Sequence, residues 1–414
     1  MDFVTDLTCV KCKATYAPAQ VQYTCPACGD EGVLDVRYDY ARIRNRLDRE
    51  ALERRPDRRH WRYRELLPIP PDAELPKLFV GDTPIYPVPR LASALGLQDL
   101  WLKDDGRNPT HSFKDRASSV GAVRAKAQGA DTIACASTGN AASSLAGMAA
   151  ALGLRSVIFV PERAPEPKLA QLLIFGAHVV RVRGRYEDAY ELCMQACRRW
   201  GWYNRNCAIN PYLVEGKKTA GLEIAEQTGW NPPDWVALSV GDGCTLAGAW
   251  KGVREMHALG FTSKAPRMLG VQAAGAAPVY RAWRDGKDLV PTDADTLADS
   301  IAVGHPRNWR KAIAAVRESG GVFVTVADEE ILEAMRLTAR LGGTFGEPAA
   351  AAAVAGVGAA VRQGLIPRDA RTLAVITGSG LKDVRSALQA VGVPLDVTPE
   401  MGSLEAALGR AGVV

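Results

Sequence analysis

Two sets of side chains in this sequence have the types and spacing for chemistry. Cys9, Cys12, Cys25 and Cys28 form C-x2-C, twelve intervening residues, and a second C-x2-C. Each pair can turn a knuckle that aims two thiolates at one tetrahedral ion, with the chain between them returning as a hairpin. The spacing therefore predicts a ribbon over residues 1–36 holding a structural Zn²⁺. Gly29, directly after Cys28, suits the left-handed turn of such a knuckle. Four thiolates close the coordination sphere, so no catalysis is assigned to them; a redox pair and a metal-free cluster are the other readings of the same residues.

The second set is four short segments. Asn108–Arg116 reads as a turn entering a helix with Lys114 in its first turn, where the helix dipole favours the neutral amine that Schiff-base chemistry needs. Ser137, Thr138, Gly139 and Asn140 form a loop of small hydroxyl and amide groups at a helix start, suited to a carboxylate. Gly241, Asp242, Gly243, Cys244 and Thr245 follow an apolar run, and the glycines let backbone N–H groups surround a phosphate. No G-K-[ST] closes that loop, so it is not a nucleotide-binding P-loop. Thr377 opens the fourth segment, through Asp383, with a hydroxyl able to face a heteroaromatic nitrogen. Singly, each reads as an ordinary strand-to-helix turn. A lysine, a carboxylate loop and a phosphate cup on one chain point together to pyridoxal phosphate.

The elements that must hold these loops are legible as apolar runs: Leu100–Leu102, Thr132–Ala134, Ser156–Val160, His178–Val182, Trp235–Ser239, Met268–Val271 and Thr372–Ile376. Near-continuous apolar strands alternating with helical stretches predict an α/β protein whose parallel sheets are covered on both faces. Ligands of such sheets bind at the carboxyl ends of the strands, where all four segments lie. The alanine-rich stretch from Ala349 reads as a packed helix. Arg37–Arg64 reads as an arginine-rich amphipathic helix with a solvated face, and Leu67–Pro71 as an extended linker, giving a boundary near residue 70.

With 414 residues, 47% of them apolar and 23% charged, the chain has the composition of a globular protein of two or three domains. Arg37–Arg64 holds eleven arginines against five acids, more than the whole net charge of +5. The remainder is near neutral, and no nucleic-acid partner is predicted. Acids at Asp2 and Asp6 replace the basic start of a signal peptide, and Ala349–Val361 is too short for a membrane span. A cytoplasmic protein without a membrane partner is expected. Cys135, Cys193, Cys197, Cys207 and Cys244 read as buried small residues.

In these motifs the sequence resembles the threonine synthases, a family of the tryptophan-synthase-β-like (fold type II) pyridoxal phosphate enzymes. The likeness runs through the ribbon, Asp82-Thr83-Pro84-Ile85, Asn108–Arg116, Ser137–Asn140, Lys168-Leu169-Ala170-Gln171, Asn210-Pro211-Tyr212, Glu215–Thr219 and Thr377–Asp383. It implies two three-layer α/β domains with the cofactor between them, preceded by the small zinc ribbon. Residues 37–120 and 216–414 form the large domain and 121–215 the small mobile one, in a homodimer. It implies that Lys114 carries the cofactor, Phe113 packs on its ring, Asn140 meets its phenolic oxygen, Gly241 to Thr245 hold its phosphate and Thr377 faces its pyridine nitrogen. Ser137, Thr138 and Asn140 close on the carboxylate of an amino-acid substrate, with Lys168, His111 and Asn206 also on the substrate side. A hydroxyl at the ring nitrogen does not stabilise a pyridinium, which favours elimination over transamination. The reaction implied is O-phosphohomoserine and water to threonine and phosphate. Glu347-Pro348 resembles the family's Glu-Pro turn on the cofactor side.

Four positions depart from the family. Leu213 stands where an arginine usually binds the substrate phosphate, leaving Lys168 as a possible ligand; Cys207 stands where serine is frequent, His111 where glycine or a small residue is usual, and Ser379 where His or Asn is. His111 is either structural or a reader of a different substrate. The departures keep open a relative acting by β-elimination or β-replacement on a serine-type or O-phosphoserine substrate, whether cysteate-synthase-like, a dehydratase or an ammonia-lyase. A zinc-ribbon interaction protein on a decayed scaffold predicts loss of the lysine, and Lys114 is present.

Overall fold

The computed structural model describes residues 1–164 and 166–414, with three sheets among them. The amino-terminal sheet is antiparallel, β1 (Val4–Cys9) between β2 (Thr15–Tyr16) and β3 (Leu34–Tyr38). The largest has six strands in the order β12 (Val322–Val326), β11 (Arg267–Ala273), β10 (Trp235–Ser239), β13 (Thr372–Ile376), β5 (Leu100–Asp104) and β4 (Ile85–Pro87). All pair in parallel except β4, an edge strand whose proline lacks a ladder donor. The third sheet is parallel throughout, in the order β8 (His178–Val182), β7 (Arg155–Pro161), β6 (Thr132–Ala136) and β9 (Tyr203–Asn204).

Alternation along the strands of the large sheet feeds two cores. On β10, Trp235 and Ala237 face one way while Val236 and Leu238 face the other; on β13, Ala374 and Ile376 oppose Leu373 and Val375. One core is closed by the helices Asp328–Gly342 and Pro348–Arg362, the other by Thr219–Gln227, Cys244–Ala258 and Trp309–Glu318. Both faces are covered, as an all-apolar parallel strand requires. The alanine-rich helix is buried along nearly its whole length, and Gly356 lets it approach β11: a Cβ there would lie 2.2 Å from Val271 Cγ2.

Two sequence expectations are corrected. Arg37–Arg64 is not one helix but two five-residue helices, Tyr40–Arg44 and Arg49–Glu53, followed by a 3-10 segment, His60–Leu66. Asp39 and Asp48 each cap a new start by accepting from the backbone N–H three residues on, so the acids punctuate the run. Its arginines are not all solvated either, since Arg62 is buried in an ion pair with Glu226 at 2.8 Å. Leu67–Pro71 is no free linker: Leu67 and Ile69 are buried against Trp61, Val120 and Met148. Strands β4, β9 and β12 were absent from the apolar runs read in the sequence.

Candidate active site

Lys114 is the first residue of the helix Lys114–Ala127. The segment before it is zipped to the chain leaving β13: Phe113 N donates to Thr377 O at 2.8 Å, Ser379 N donates to His111 O at 3.1 Å, and Ser112 bridges Gly378. One turn on, Arg116 is fully buried between Asp105 (2.6 Å) and Glu223 (2.6 Å), and Lys103 also pairs with Glu223 at 2.8 Å. Removing either partner of such a pair leaves an uncompensated buried charge, so the network fixes the start of the helix. Gly216 brings the helix Tyr212–Lys217 against it: a Cβ there would sit 2.0 Å from Arg116 O.

Lys114 opens into a cleft of about 820 Å³ between the strand ends of the two parallel sheets. From the small sheet come Ser137, Thr138 and Asn140; from the large sheet come Gly241 to Thr245 and Thr377. Gly243 precedes the helix Cys244–Ala258 with φ +90°, a backbone that needs glycine, and this turns the helix amino terminus and its free N–H groups into the cleft. Asn140 Nδ2 donates to Glu347 Oε1 and Oε2 at 2.8 and 3.0 Å, bringing the Glu347-Pro348 turn to the cleft wall.

The electrostatics suit a lysine that must lose its proton. Burial lowers the Lys114 pKa, and the neighbouring Lys217 cation lowers it further. Burial raises Glu347. Asp242 is pushed up to about 6, by burial first and then by the Cys207 sulfur. Cys207 falls well below the usual thiol range, through a hydrogen bond from Cys244 and, against burial, the cations Lys217 and Arg205.

Of the residues singled out in the sequence, Lys114, Ser137, Thr138, Asn140, Asn206, Gly241, Asp242, Gly243, Cys244, Thr245 and Thr377 line this cleft. Three differ from expectation. Phe113 is fully buried in the core behind the lysine, under the Arg116 guanidinium at 5.6 Å, and does not line the cleft. His111 is exposed with φ +62°, also outside the lining; its backbone takes the shape that glycine favours, and its carbonyl holds Ser379. Lys168 lies in an adjoining recess with Asn140 and Glu347, in an ion pair with Asp299. Asn206 lines the wall but spends its Oδ1 on the Ala136 N–H at 2.9 Å, pinning the end of β6.

Sequence reasoning missed the cations. Arg205 and Lys217 are each 1% exposed and face the cleft beside Cys207, which was read as an inert buried residue. Two successive lysines inside a buried helix were the available signal. Leu213 is fully buried, its direction set by Gly121, where a Cβ would lie 2.9 Å from Leu213 Cδ2. It points into the protein, not the cleft.

In the amino-terminal ribbon the four Sγ atoms of Cys9, Cys12, Cys25 and Cys28 lie within 4.8 Å of one another. The two knuckles match: Lys13 N donates to Cys9 O and Gly29 N to Cys25 O, and both residues have positive φ, 67° and 58°. Only the second position is a glycine. The ribbon is docked on the body, where Lys251 and Lys311 each reach Asp35 at 3.1 Å and Tyr38 donates to Glu215 at 2.9 Å. Val10 and Val33 pack behind Cys207 and Cys244, and Asp30 lines the cleft itself.

Comparison with known proteins agrees with this architecture. The family described as Pyridoxal-phosphate dependent enzyme matches residues 76–378. A threonine synthase of Methanocaldococcus jannaschii is 39% identical over 96% of this chain and 98% of its own length. One of Methanosarcina acetivorans is 40% identical over 98% and 99%, and one of Mycobacterium tuberculosis 38% over 79% and 89%. Among solved structures, the processed threonine deaminase isoform 2 of Solanum lycopersicum superposes with a TM-score of 0.65 at 21% identity, over 75% of this chain and 88% of that one. Diaminopropionate ammonia lyase from Escherichia coli gives 0.63 at 22%, over 75% and 87%. At such identities these two share the fold alone.

Proposed function

The chain belongs to the pyridoxal-phosphate dependent enzymes, and on that footing we propose that it is a threonine synthase, a lyase converting O-phosphohomoserine and water to threonine and phosphate. The observation that carries the reading is the position of Lys114, half-buried, with a lowered pKa, facing a glycine-lined helix amino terminus across the cleft. Likeness to threonine synthases over nearly the whole chain supports the substrate.

The residues present fit the cofactor. Gly241 admits no side chain without meeting Ile301 Cα at 3.1 Å, and Gly243 needs its left-handed φ, so the turn offers backbone N–H groups and the helix dipole to a phosphate. When bound, pyridoxal phosphate supplies an electron sink for charge developing on the substrate. Lys114 Nζ would hold the cofactor and then carry protons, removing them from Cα and Cβ as phosphate leaves Cγ, and returning them at Cγ and Cα once water has added at Cβ. Thr377 would offer its hydroxyl to the ring nitrogen and Asn140 its amide to the ring oxygen, while Ser137 and Thr138 would bind the substrate carboxylate and exclude water.

Cys9, Cys12, Cys25 and Cys28 fit a structural Zn²⁺ by donor type and mutual distance. The division into a ribbon (1–36), a large domain (37–120 with 216–414) and a mobile small domain (121–215) is supported by the four-stranded sheet lying wholly within 132–204. Exposed apolar side chains at Ile174, Leu381 and Leu388 support a homodimer. No helix among the described residues is long and apolar enough to cross a membrane. We place the protein in the cytoplasm, a reducing compartment that keeps the ribbon thiols free for metal.

The test is to incubate cofactor-loaded protein with O-phosphohomoserine and measure threonine and phosphate together. Equal release of both supports the reading. A keto acid with ammonia, or a β-substituted alanine from O-phosphoserine, in place of threonine would overturn it.

A further inference from the structure

Successive lysines, Lys217 ending one buried helix and Lys218 joining it to the next, meet opposite fates. Lys218 is satisfied by the protein, pairing with Glu215 at 2.8 Å and Glu255 at 2.9 Å. Lys217 faces the cleft, and its hydrogen bond is to Cys207 Sγ at 3.0 Å. Arg205 enters the same corner from the chain just after β9, donating through Nε and Nη2 to a single hydroxyl, Ser118 Oγ, at 3.1 and 3.0 Å. Among the described residues, no carboxylate comes within ion-pair distance of either cation. The Cys207 sulfur, drawn toward thiolate, is the one anion beside Lys217, and Arg205 has only a hydroxyl, so two buried cations share at most one negative charge; such a surplus is costly unless the site is built for a further ion of opposite sign.

Two phosphates enter the reaction, one on the cofactor and one on the substrate. The turn Gly241–Thr245 supplies backbone donors for one of them. Leu213 supplies nothing for the other, being buried against Gly121.

We propose that Arg205 and Lys217 together form the seat for the substrate's phosphate, doing from another strand end and another helix turn what an arginine at position 213 does elsewhere; this rests on the threonine synthase reading above. A phosphoester dianion has oxygens enough to accept from the Arg205 fork and the Lys217 ammonium at once, the charge-assisted geometry that binds phosphate most tightly. Lys217 also lies near enough to depress the Lys114 pKa. The seat therefore stands beside the lysine that works on the substrate's carbons. Non-phosphorylated amino acids leave the surplus positive charge of the two cations unmatched, which makes them specificity-determining.

The experiment uses the cofactor-loaded enzyme and the variants Lys217→Gln, Lys217→Arg and Arg205→Gln. Four quantities are read: KM and kcat for O-phosphohomoserine, cofactor Kd from absorbance, and the rate at which N-ethylmaleimide alkylates Cys207, by peptide mass spectrometry, with and without inorganic phosphate. Lys217→Gln and Arg205→Gln are expected to raise KM about tenfold or more, the effect of losing one charge-assisted bond. Lys217→Arg recovers most of the loss, cofactor Kd stays within about twofold, and inorganic phosphate shields Cys207 in the parent but not in the two Gln variants. Unchanged KM and unchanged shielding overturn the proposal. A cofactor Kd that rises in step with KM also overturns it, because the seat then belongs to the cofactor's phosphate. If the parent makes no threonine yet phosphate shields Cys207 only while Lys217 is present, the anion seat stands and the substrate reading fails.

Discussion

Asn140 and Glu347 meet across the cleft, the amide of one donating to both carboxylate oxygens of the other at 2.8 and 3.0 Å. The contact ties the first residue of the helix Asn140–Leu152 to the residue that caps Pro348–Arg362. Asn140→Ala leaves a buried carboxylate without that donor, at about 1–3 kcal/mol. The expected outcome is a thermal midpoint lower by a few degrees and a loss of at least about tenfold in kcat/KM. Glu347→Gln, which keeps an acceptor for the same amide, loses less stability.

Lys114→Ala removes the amine that holds the cofactor. The purified variant is expected to lack the visible absorption band of bound pyridoxal phosphate and to make no threonine. A variant that retained the band would move the attachment to another lysine, such as Lys217, which also lines the cleft.

Leu213→Arg does not restore a phosphate ligand. Leu213 is fully buried with its Cδ2 against Gly121, and a guanidinium there is a buried charge without a partner. Destabilisation of about 3 kcal/mol or more is expected. Thermal denaturation checks this, together with a KM for O-phosphohomoserine that does not improve.

Asp242 gives a pH dependence. Its carboxyl lies at about 6 in the fold against an ordinary 3.8, so between those values the native state holds a proton that the unfolded chain has lost. Stability therefore falls as pH rises through that window, and the loss is complete above it. The phosphate of a bound cofactor adds negative charge nearby and acts in the same direction. Asp242→Asn keeps an oxygen for the Arg307 N–H, bonded at 3.2 Å, and sheds the charge. The variant is expected to be more stable than the parent by about 1–3 kcal/mol near pH 8, with little difference near pH 4, as read by thermal scans at the two pH values.

Cys12→Ser breaks the thiolate set. Bound zinc, measured by elemental analysis, is expected to fall from one per chain to none. Because Val10 and Val33 back onto Cys207 and Cys244, the damage extends beyond the ribbon: KM rises and cofactor Kd weakens. A zinc-free variant with parental kinetics would show the ribbon to be independent of the cleft.

Where burial decides the outcome, the sequence was readable. β10 and β13 run over the residues that the apolar runs mark, because a strand covered on both faces must be apolar at every step; β8 does so as an edge strand with His178 and Arg181 exposed. The segments that follow β5, β6, β10 and β13 bring Lys114, Ser137 to Asn140, Gly241 to Thr245 and Thr377 to one cleft. Direction was not readable. Phe113 and Leu213 turn inward, Arg205 and Lys217 turn toward the cleft, and His111 turns out, and each choice is made by a neighbour distant in sequence, such as Thr377, Gly121 or Cys207. Nor does a run of eleven arginines reveal that two aspartates cut it into separate helices.

The ribbon is synthesised well before the residues that complete its cover. Leu7, Leu34, Val36 and Tyr38 are buried with the nearby Ile43, Leu47, Leu52, Tyr63 and Leu66 and with Tyr212, Leu222, Met256 and Phe261, so the cover of the ribbon's inner face stays incomplete until some two hundred more residues have left the ribosome. At about 5–20 residues per second that interval is roughly 10–40 seconds. Throughout it, four thiols and a partly covered sheet face the surroundings of the nascent chain. On the zinc reading proposed above, early capture of the ion stabilises them, and scarcity of zinc would be felt during synthesis, as a lower yield of folded enzyme, before it is felt in catalysis.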